Sequence, residues 1–197
     1  LNLENFGANF CLIISRKKKP ANMYNRVAPI VVAVSTINIP HHLPKTKPEK
    51  ISKGNAKPKS NTQTIEKIKK IASQSKDQFI LTEKFFTSPA NRAIHTCLIL
   101  LRSLSISTSK IKVCEDLYTF SYKDVFEFIK QINNNYSNVT LVGHNPAYTE
   151  ISNYFSENKI LNLPTARWFS MKFDSDKWSD ILELKPIFYS NNIKSEK

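Results

Sequence analysis

Two polar side chains follow predicted strands, at positions where they could bind an anion. His144 comes after an apolar run, Val139–Val142, that predicts a buried strand, and Gly143 interrupts this run. Asn145 and Pro146 are typical of a helix start. A histidine at such a junction lies near unpaired backbone N–H groups and the helix dipole, so it can donate to a phosphate. An ordinary turn histidine would occupy the same position, and the spacing alone favours neither interpretation.

A second junction of the same kind carries an arginine. Residues 84–87 (KFFT) predict a strand that runs into a Ser-Pro pair, again a helix cap followed by proline. The apolar spacing over 93–101 predicts the helix behind it, with Arg92 in the first turn. Because the carboxyl ends of parallel strands meet at one edge of a sheet, Arg92 and His144 are expected to lie close together. A guanidinium fork suits two phosphate oxygens.

The elements that position these junctions alternate between strands and helices. Further strands are predicted over 111–114, 168–173 and 178–184, and helices over 61–73 and from Ser121, where Asp124 completes a capping box. Two earlier apolar runs, 10–14 and 27–34, could also form strands. The alternation predicts an α/β fold, a three-layer α/β/α sandwich with a mainly parallel sheet.

The net charge of +13 is concentrated in the N-terminal part. Residues 1–78 contain 15 lysines and arginines and four acidic residues, whereas residues 79–197 contain 14 and 12. Prolines among the lysines before residue 60 favour an extended, solvated segment. The sequence therefore predicts a basic, poorly ordered leader over 1–60, an α/β domain over 61–190 and a tail over 191–197.

Composition also limits the cofactors, compartment and partners. No apolar run reaches the roughly 18–20 residues of a membrane span, and the apolar stretch 27–39 has no cleavage site behind it. Three cysteines without CxxC spacing predict reduced thiols in a cytoplasmic protein. The four histidines and three cysteines show no metal-ligand spacing, so neither a metal nor another cofactor is expected. Few aromatic residues accompany the leader's lysines, which favours solvated disorder over nucleic-acid binding.

Four short motifs stand in order along the chain: TSPANRAIHT (87–96), EDLY (115–118), LVGHNP (141–146) and LPTA (163–166). Together they resemble the histidine phosphatase superfamily, and within it the SixA-like phosphohistidine phosphatases, over about residues 79–190. The resemblance implies a phosphoglycerate mutase-like fold and hydrolysis of a phosphoryl group through a phosphohistidine intermediate. The implied substrate is a phosphorylated protein, in particular one carrying phosphohistidine, or a small phosphoester.

The resemblance also implies roles for individual residues. Arg92 matches the arginine that clamps phosphate, and His144 matches the second active-site histidine, a catalytic residue that donates to the phosphoryl group. His95 lies in the same motif as Arg92 but is expected to be packed or exposed.

The family's nucleophile, a histidine after an arginine at the end of the first strand, is not found. The nearest match is the apolar run 11–15 followed by Arg16 and Lys17, where a lysine that is protonated at neutral pH replaces the histidine. Arg16 is a further candidate for phosphate binding. His41 and His42 lie among prolines rather than after a strand.

Two explanations of this difference stay open. Residues 1–78 either supply a degenerate first strand or are not the native sequence of this domain, as after a frameshift. The change of charge near residue 79, the composition of the leader and the start at Leu1 favour the second. The leading prediction is a phosphohistidine phosphatase-like protein, inactive if the nucleophile is missing. The alternatives are a non-catalytic phosphate- or phosphoprotein-binding module and, third, a basic-armed nucleic-acid binder.

Overall fold

The computed structural model describes residues 9–16, 61–164 and 166–191. The strands are β1 (Asn9–Arg16), β2 (Lys84–Thr87), β3 (Ile111–Val113), β4 (Asn138–His144), β5 (Trp168–Phe173) and β6 (Phe188–Asn191). The α-helices are α1 (Asn61–Gln74), α2 (Lys76–Phe79), α3 (Asn91–Ser103), α4 (Tyr122–Lys130) and α5 (Ala147–Phe155). Short 3₁₀ helices span Thr108–Lys110, Glu115–Leu117 and Trp178–Glu183. Within these described ranges, no helix is long and apolar enough to cross a bilayer.

One six-stranded sheet, in the order β3-β2-β4-β1-β5-β6, forms the centre of the fold. β3, β2 and β4 are parallel, as the alternation of strands and helices predicts. The chain moves from β2 to β3 in one direction and from β3 to β4 in the other, so right-handed connections place α3 and α4 on opposite faces. α1 packs with α3, and α4 packs with α5. The predicted α/β class, with helices on both faces of the sheet, is confirmed.

Parallel pairing does not extend through the whole sheet. β1 runs antiparallel to β4 and parallel to β5, and β6 is antiparallel to β5. The strand predicted over 10–14 is thus confirmed as β1, which lies before the predicted domain boundary at residue 61. The remainder of the leader, including the strand predicted over 27–34, lies outside the described residues.

The register of β1 decides which of its ends reaches each edge of the sheet. Asn9 pairs with His144 and Ser15 pairs with Asn138, so the amino end of β1 lies beside the carboxyl end of β4. Arg16 pairs with Phe173 of β5 at the opposite edge. Since each residue of a strand advances about 3.4 Å, the backbone of Arg16 lies about 20 Å or more from that of His144.

The helix predicted over 61–73 is confirmed as α1, and it covers one face of the sheet. Ile68 and Ala72 are buried on its apolar side. Just beyond the helix, Ser75 Oγ accepts a hydrogen bond of 2.9 Å from Nε1 of Trp168 in β5. This buried hydrogen bond joins the residue that follows α1 to β5.

The strand predicted over 178–184 is wrong, because residues Trp178–Glu183 form a 3₁₀ helix. Trp178 and Ile181 are buried, and side chains three residues apart lie on the same face of such a helix. The Nε1 atom of Trp178 donates to the carbonyl of Tyr136 at 3.1 Å. β6, a four-residue edge strand after this helix, was not predicted.

The capping box predicted at the start of α4 is also wrong, although the helix itself is confirmed. Ser121 precedes the helix but makes no side-chain cap. Instead, Asp124 Oδ2 accepts a hydrogen bond of 2.6 Å from Thr119 Oγ1, and Thr119 Oγ1 accepts the backbone N–H of Ser121 at 3.0 Å. A threonine two residues before the predicted cap therefore organises this helix start.

Gly143 allows α5 to pack closely against β4. A Cβ atom at this position would lie 2.4 Å from the hydroxyl oxygen of Tyr148 and 2.5 Å from its Cε2 atom. Tyr148 stands in the first turn of α5 and is fully buried. The residue that interrupts the apolar run of β4 therefore makes room for the ring of Tyr148.

We expect Gly143→Ala to lower the free energy of unfolding by about 1–3 kcal/mol, because the added methyl group must displace a packed ring. Urea denaturation of the purified protein measures this cost. In a Tyr148→Ala background the same substitution should cost clearly less, since the clashing atoms are gone. An equal cost in both backgrounds would contradict the steric explanation.

Candidate functional site

The two predicted junctions meet at one edge of the sheet. His144 is the last residue of β4, and Arg92 is the second residue of α3, which follows β2 after a three-residue connection. The Nη2 atom of Arg92 lies 3.3 Å from Nδ1 of His144. The structure therefore brings these two residues into contact, and their binding of phosphate stays a prediction.

The contact with Arg92 defines the tautomer of His144. A guanidinium can only donate, so Nδ1 of His144 accepts and Nε2 carries the hydrogen. Nε2 then donates to Ser88 Oγ at 2.7 Å. The backbone N–H of Ser88 donates to the carbonyl of Val142 at 2.9 Å, so pairing between the two chain segments continues past β2 and fixes the hydroxyl beside the ring.

Ser88 was expected to cap α3, but the structure uses it differently. The helix begins at Asn91, and its cap position is Ala90, which has no side-chain oxygen. The Ser88 hydroxyl makes only a long contact of 3.4 Å with the backbone N–H of Ala90. Its short hydrogen bond is the one to His144, so the serine of the Ser-Pro pair orients the site.

Asn145 bonds to the start of α5, as the sequence predicts, and its partner there is Thr149, the third residue of the helix. Its Oδ1 atom accepts from the backbone N–H of Thr149 at 3.1 Å and from the Thr149 hydroxyl at 2.9 Å. Its Nδ2 atom donates to Asn162 Oδ1 at 2.6 Å and to the carbonyl of Leu163 at 3.2 Å. α5 itself begins after Pro146 rather than at it. The residue after His144 thus ties the helix start to the loop that carries the LPTA motif.

His144 is held in its neutral form. The side chain is 1% exposed, and burial together with the positive charge of Arg92 lowers the pKa of His144 from 6.5 to about 4. Since the unfolded chain binds this proton more readily than the folded chain, the free energy of unfolding keeps its full value above pH 6.5 and decreases as the pH falls toward 4. A pKa shift of this size corresponds to about 3 kcal/mol in the free energy of unfolding.

The guanidinium of Arg92 lacks a counterion in the described part of the chain. Its Nε atom is buried and has no hydrogen-bond partner there. The two ion pairs seen among the described side chains join lysines and glutamates on helix surfaces and do not involve Arg92. A buried donor without a partner is costly, and an anion with two oxygens would satisfy it. The electrostatics therefore suit a negatively charged ligand.

Two aromatic side chains that the sequence reasoning did not single out stand against His144. The ring centroid of Tyr118 lies 5.6 Å from that of His144, and the ring of Phe120 lies at 5.9 Å, both edge to face. Tyr118 belongs to the EDLY motif, where the resemblance gave it no role. A pair of aromatic residues spaced two apart, directly before the α4 start, is the signal that could have indicated them.

Two other residues named from the sequence lie away from this pair. Arg16, predicted as a phosphate ligand, has its backbone at the opposite edge of the sheet because β1 runs antiparallel to β4, so it is not part of this site. His95 is exposed on α3, as expected. In the described part of the chain, no three His, Cys, Asp or Glu side chains are grouped to hold a metal ion.

Three surface clefts, of about 400, 370 and 600 Å³, open elsewhere on the molecule. They lie between β3 and α4, beside the loop that carries Tyr118, and between α5 and β6. Neither Arg92 nor His144 lines any of them.

Comparison with known proteins finds similarity at the level of structure. No family model and no curated protein matches the chain. The crystal structure of a proposed phosphohistidine phosphatase, SixA, from Agrobacterium tumefaciens is 17% identical and covers 64% of this chain and 78% of its own, with a TM-score of 0.48. A proposed SixA from Nakamurella multipartitia is 11% identical and covers 94% and 98%, with a TM-score of 0.49. Likeness at this level concerns the fold and assigns no activity.

The charge state of His144 can be measured directly. NMR titration of the imidazole should give a pKa of about 4 in the unmodified protein. Arg92→Met should raise that pKa, because the neighbouring charge is gone, but should leave it below 6.5, because burial is the larger cause. Arg102→Met, at the far end of α3, is the matched control and should change nothing. A pKa near 6.5 in the unmodified protein would contradict the buried, neutral assignment.

Proposed function

We propose that this chain binds the phosphoryl group of a phosphorylated protein at the Arg92–His144 edge of the sheet, in the manner of a SixA-like phosphohistidine phosphatase domain. The observation that carries the proposal is the buried Nε atom of Arg92, which has no hydrogen-bond partner among the described residues, in a guanidinium whose Nη2 atom contacts the neutral imidazole of His144. Phosphohistidine is the modification that the sequence motifs favour, and the cytoplasm is the expected compartment. A small phosphoester would present the same oxygens.

The side chains of Arg92, His144 and Ser88 would each have a different role in binding the phosphoryl group. Two phosphoryl oxygens would accept from the Nε and Nη2 atoms of Arg92, which satisfies the orphaned donor. The ligand's negative charge would raise the pKa of His144, because it opposes the effect of the guanidinium. A protonated His144 would then donate from Nδ1 to a phosphoryl oxygen, while its Nε2 atom keeps Ser88 as partner. Binding should therefore take up a proton at mildly acidic pH.

Hydrolysis through a phosphohistidine intermediate is the second candidate, and the four sequence motifs favour it. The described residues contain two histidines, and neither fits the role of nucleophile. His95 is exposed on the outside of α3, and both ring nitrogens of His144 are engaged by Arg92 and Ser88. A histidine nucleophile would have to be His41 or His42, which lie outside the described residues. The described residues thus support recognition of phosphate more directly than its transfer.

The binding site can be tested with inorganic phosphate by isothermal titration calorimetry. Arg92→Lys and His144→Ala should each weaken binding about ten- to a hundredfold, since each removes charge-assisted hydrogen bonds. Arg102→Lys and His95→Ala are matched controls on the same helix and should bind as the unmodified protein does. Equal affinity in all four variants would show that phosphate does not use this edge of the sheet.

Incubation with a phosphohistidine peptide separates binding from hydrolysis. Saturable binding that depends on His144, without release of inorganic phosphate, is the result that the recognition proposal predicts. Release of phosphate that is lost in His144→Ala would establish the second candidate. Release that is unchanged in His144→Ala would contradict the site assignment itself.

A further inference from the structure

The two aromatic rings beside His144 are unusually open to solvent. Tyr118 is 63% exposed and Phe120 is 52% exposed, although both touch a side chain that is almost completely buried. Large apolar rings exposed at the rim of a polar site often mark the place where a ligand is covered.

Tyr118 and Phe120 lie in a loop that is held in place by hydrogen bonds. The N–H of Tyr118 donates to the carbonyl of Glu115 at 2.8 Å, which closes the 3₁₀ helix before it. Thr119 then donates to Asp124 Oδ2 at 2.6 Å and accepts the N–H of Ser121 at 3.0 Å. These bonds hold the loop to the first turn of α4. Both rings are therefore presented in a defined position, as preorganised binding surfaces require.

We propose that Tyr118 and Phe120 form a subsite for a planar aromatic group that carries the phosphoryl, so that the site prefers aryl phosphates to alkyl phosphates. This inference rests on the proposed phosphoryl site at Arg92 and His144. Ring centroids between 5 and 6 Å from the imidazole place the subsite directly beside His144, one of the two residues proposed to bind the phosphoryl group. An aromatic group there would pack against both rings, whereas an alkyl chain would cover less apolar area and gain no ring–ring contact.

The test compares phenyl phosphate with methyl phosphate, two monoesters that differ in the group carried by the phosphoryl. Calorimetry at a pH of about 7.5, above the second phosphate pKa, measures both affinities. The unmodified protein should bind phenyl phosphate about tenfold more tightly. Tyr118→Ala and Phe120→Ala should each reduce this preference by weakening phenyl phosphate binding more than methyl phosphate binding, and Tyr118→Phe, which keeps the ring, should retain the preference. Phe188→Ala, in the edge strand β6, is the matched control at another exposed phenylalanine.

The remaining outcomes distinguish failure of the subsite from failure of the phosphoryl site. Equal affinity for the two esters, with methyl phosphate binding that still needs Arg92, would overturn the subsite and leave the phosphoryl site standing. Loss of methyl phosphate binding in the alanine variants would show that the rings only support the structure, and would also overturn the subsite. Failure of both esters to bind the unmodified protein would overturn the phosphoryl site and the subsite together.

Discussion

The site depends on one buried polar contact, in which a neutral His144 accepts from Arg92 on one side and donates to Ser88 on the other. The contact requires the parallel pairing of β2 with β4, because that pairing brings the two strand-to-helix junctions to the same edge. Gly143, next to His144 in β4, leaves space for the ring of Tyr148 beneath α5. Burial then lowers the pKa of the histidine and leaves the guanidinium as the positive charge available to an anion.

The direction of β1 limits the chemistry that this edge of the sheet can perform. The sequence motifs that resemble histidine phosphatases imply a nucleophile at the carboxyl end of the first strand. In this chain β1 fills the space between β4 and β5, and so prevents both from becoming unpaired edges, but it runs antiparallel to β4. Its amino end therefore faces His144, and Arg16 lies at the other edge. The sheet is complete, and the carboxyl end of β1 lies at the edge away from His144.

Local chemistry made much of this structure predictable. The strand over 84–87 matches β2, and the helices expected after it, after residue 120 and after Pro146 are present, because apolar period and helix starts agree at these places. The sequence could not indicate the direction of β1, since an apolar run of five residues pairs equally well in either orientation. It also could not show that Ser88 bonds His144 rather than a helix N–H. That choice depends on a contact between residues 56 positions apart.

A structure of the protein with bound inorganic phosphate would show directly whether Arg92 and His144 bind the ion. We expect a phosphate ion at the carboxyl end of β4, with one oxygen accepting from the Nε atom of Arg92 and another within hydrogen-bond distance of Nδ1 of His144. The direct Arg92–His144 contact would lengthen as the ion is bound between them. A phosphate bound elsewhere, with Nε still unpartnered and the 3.3 Å contact unchanged, would contradict this expectation.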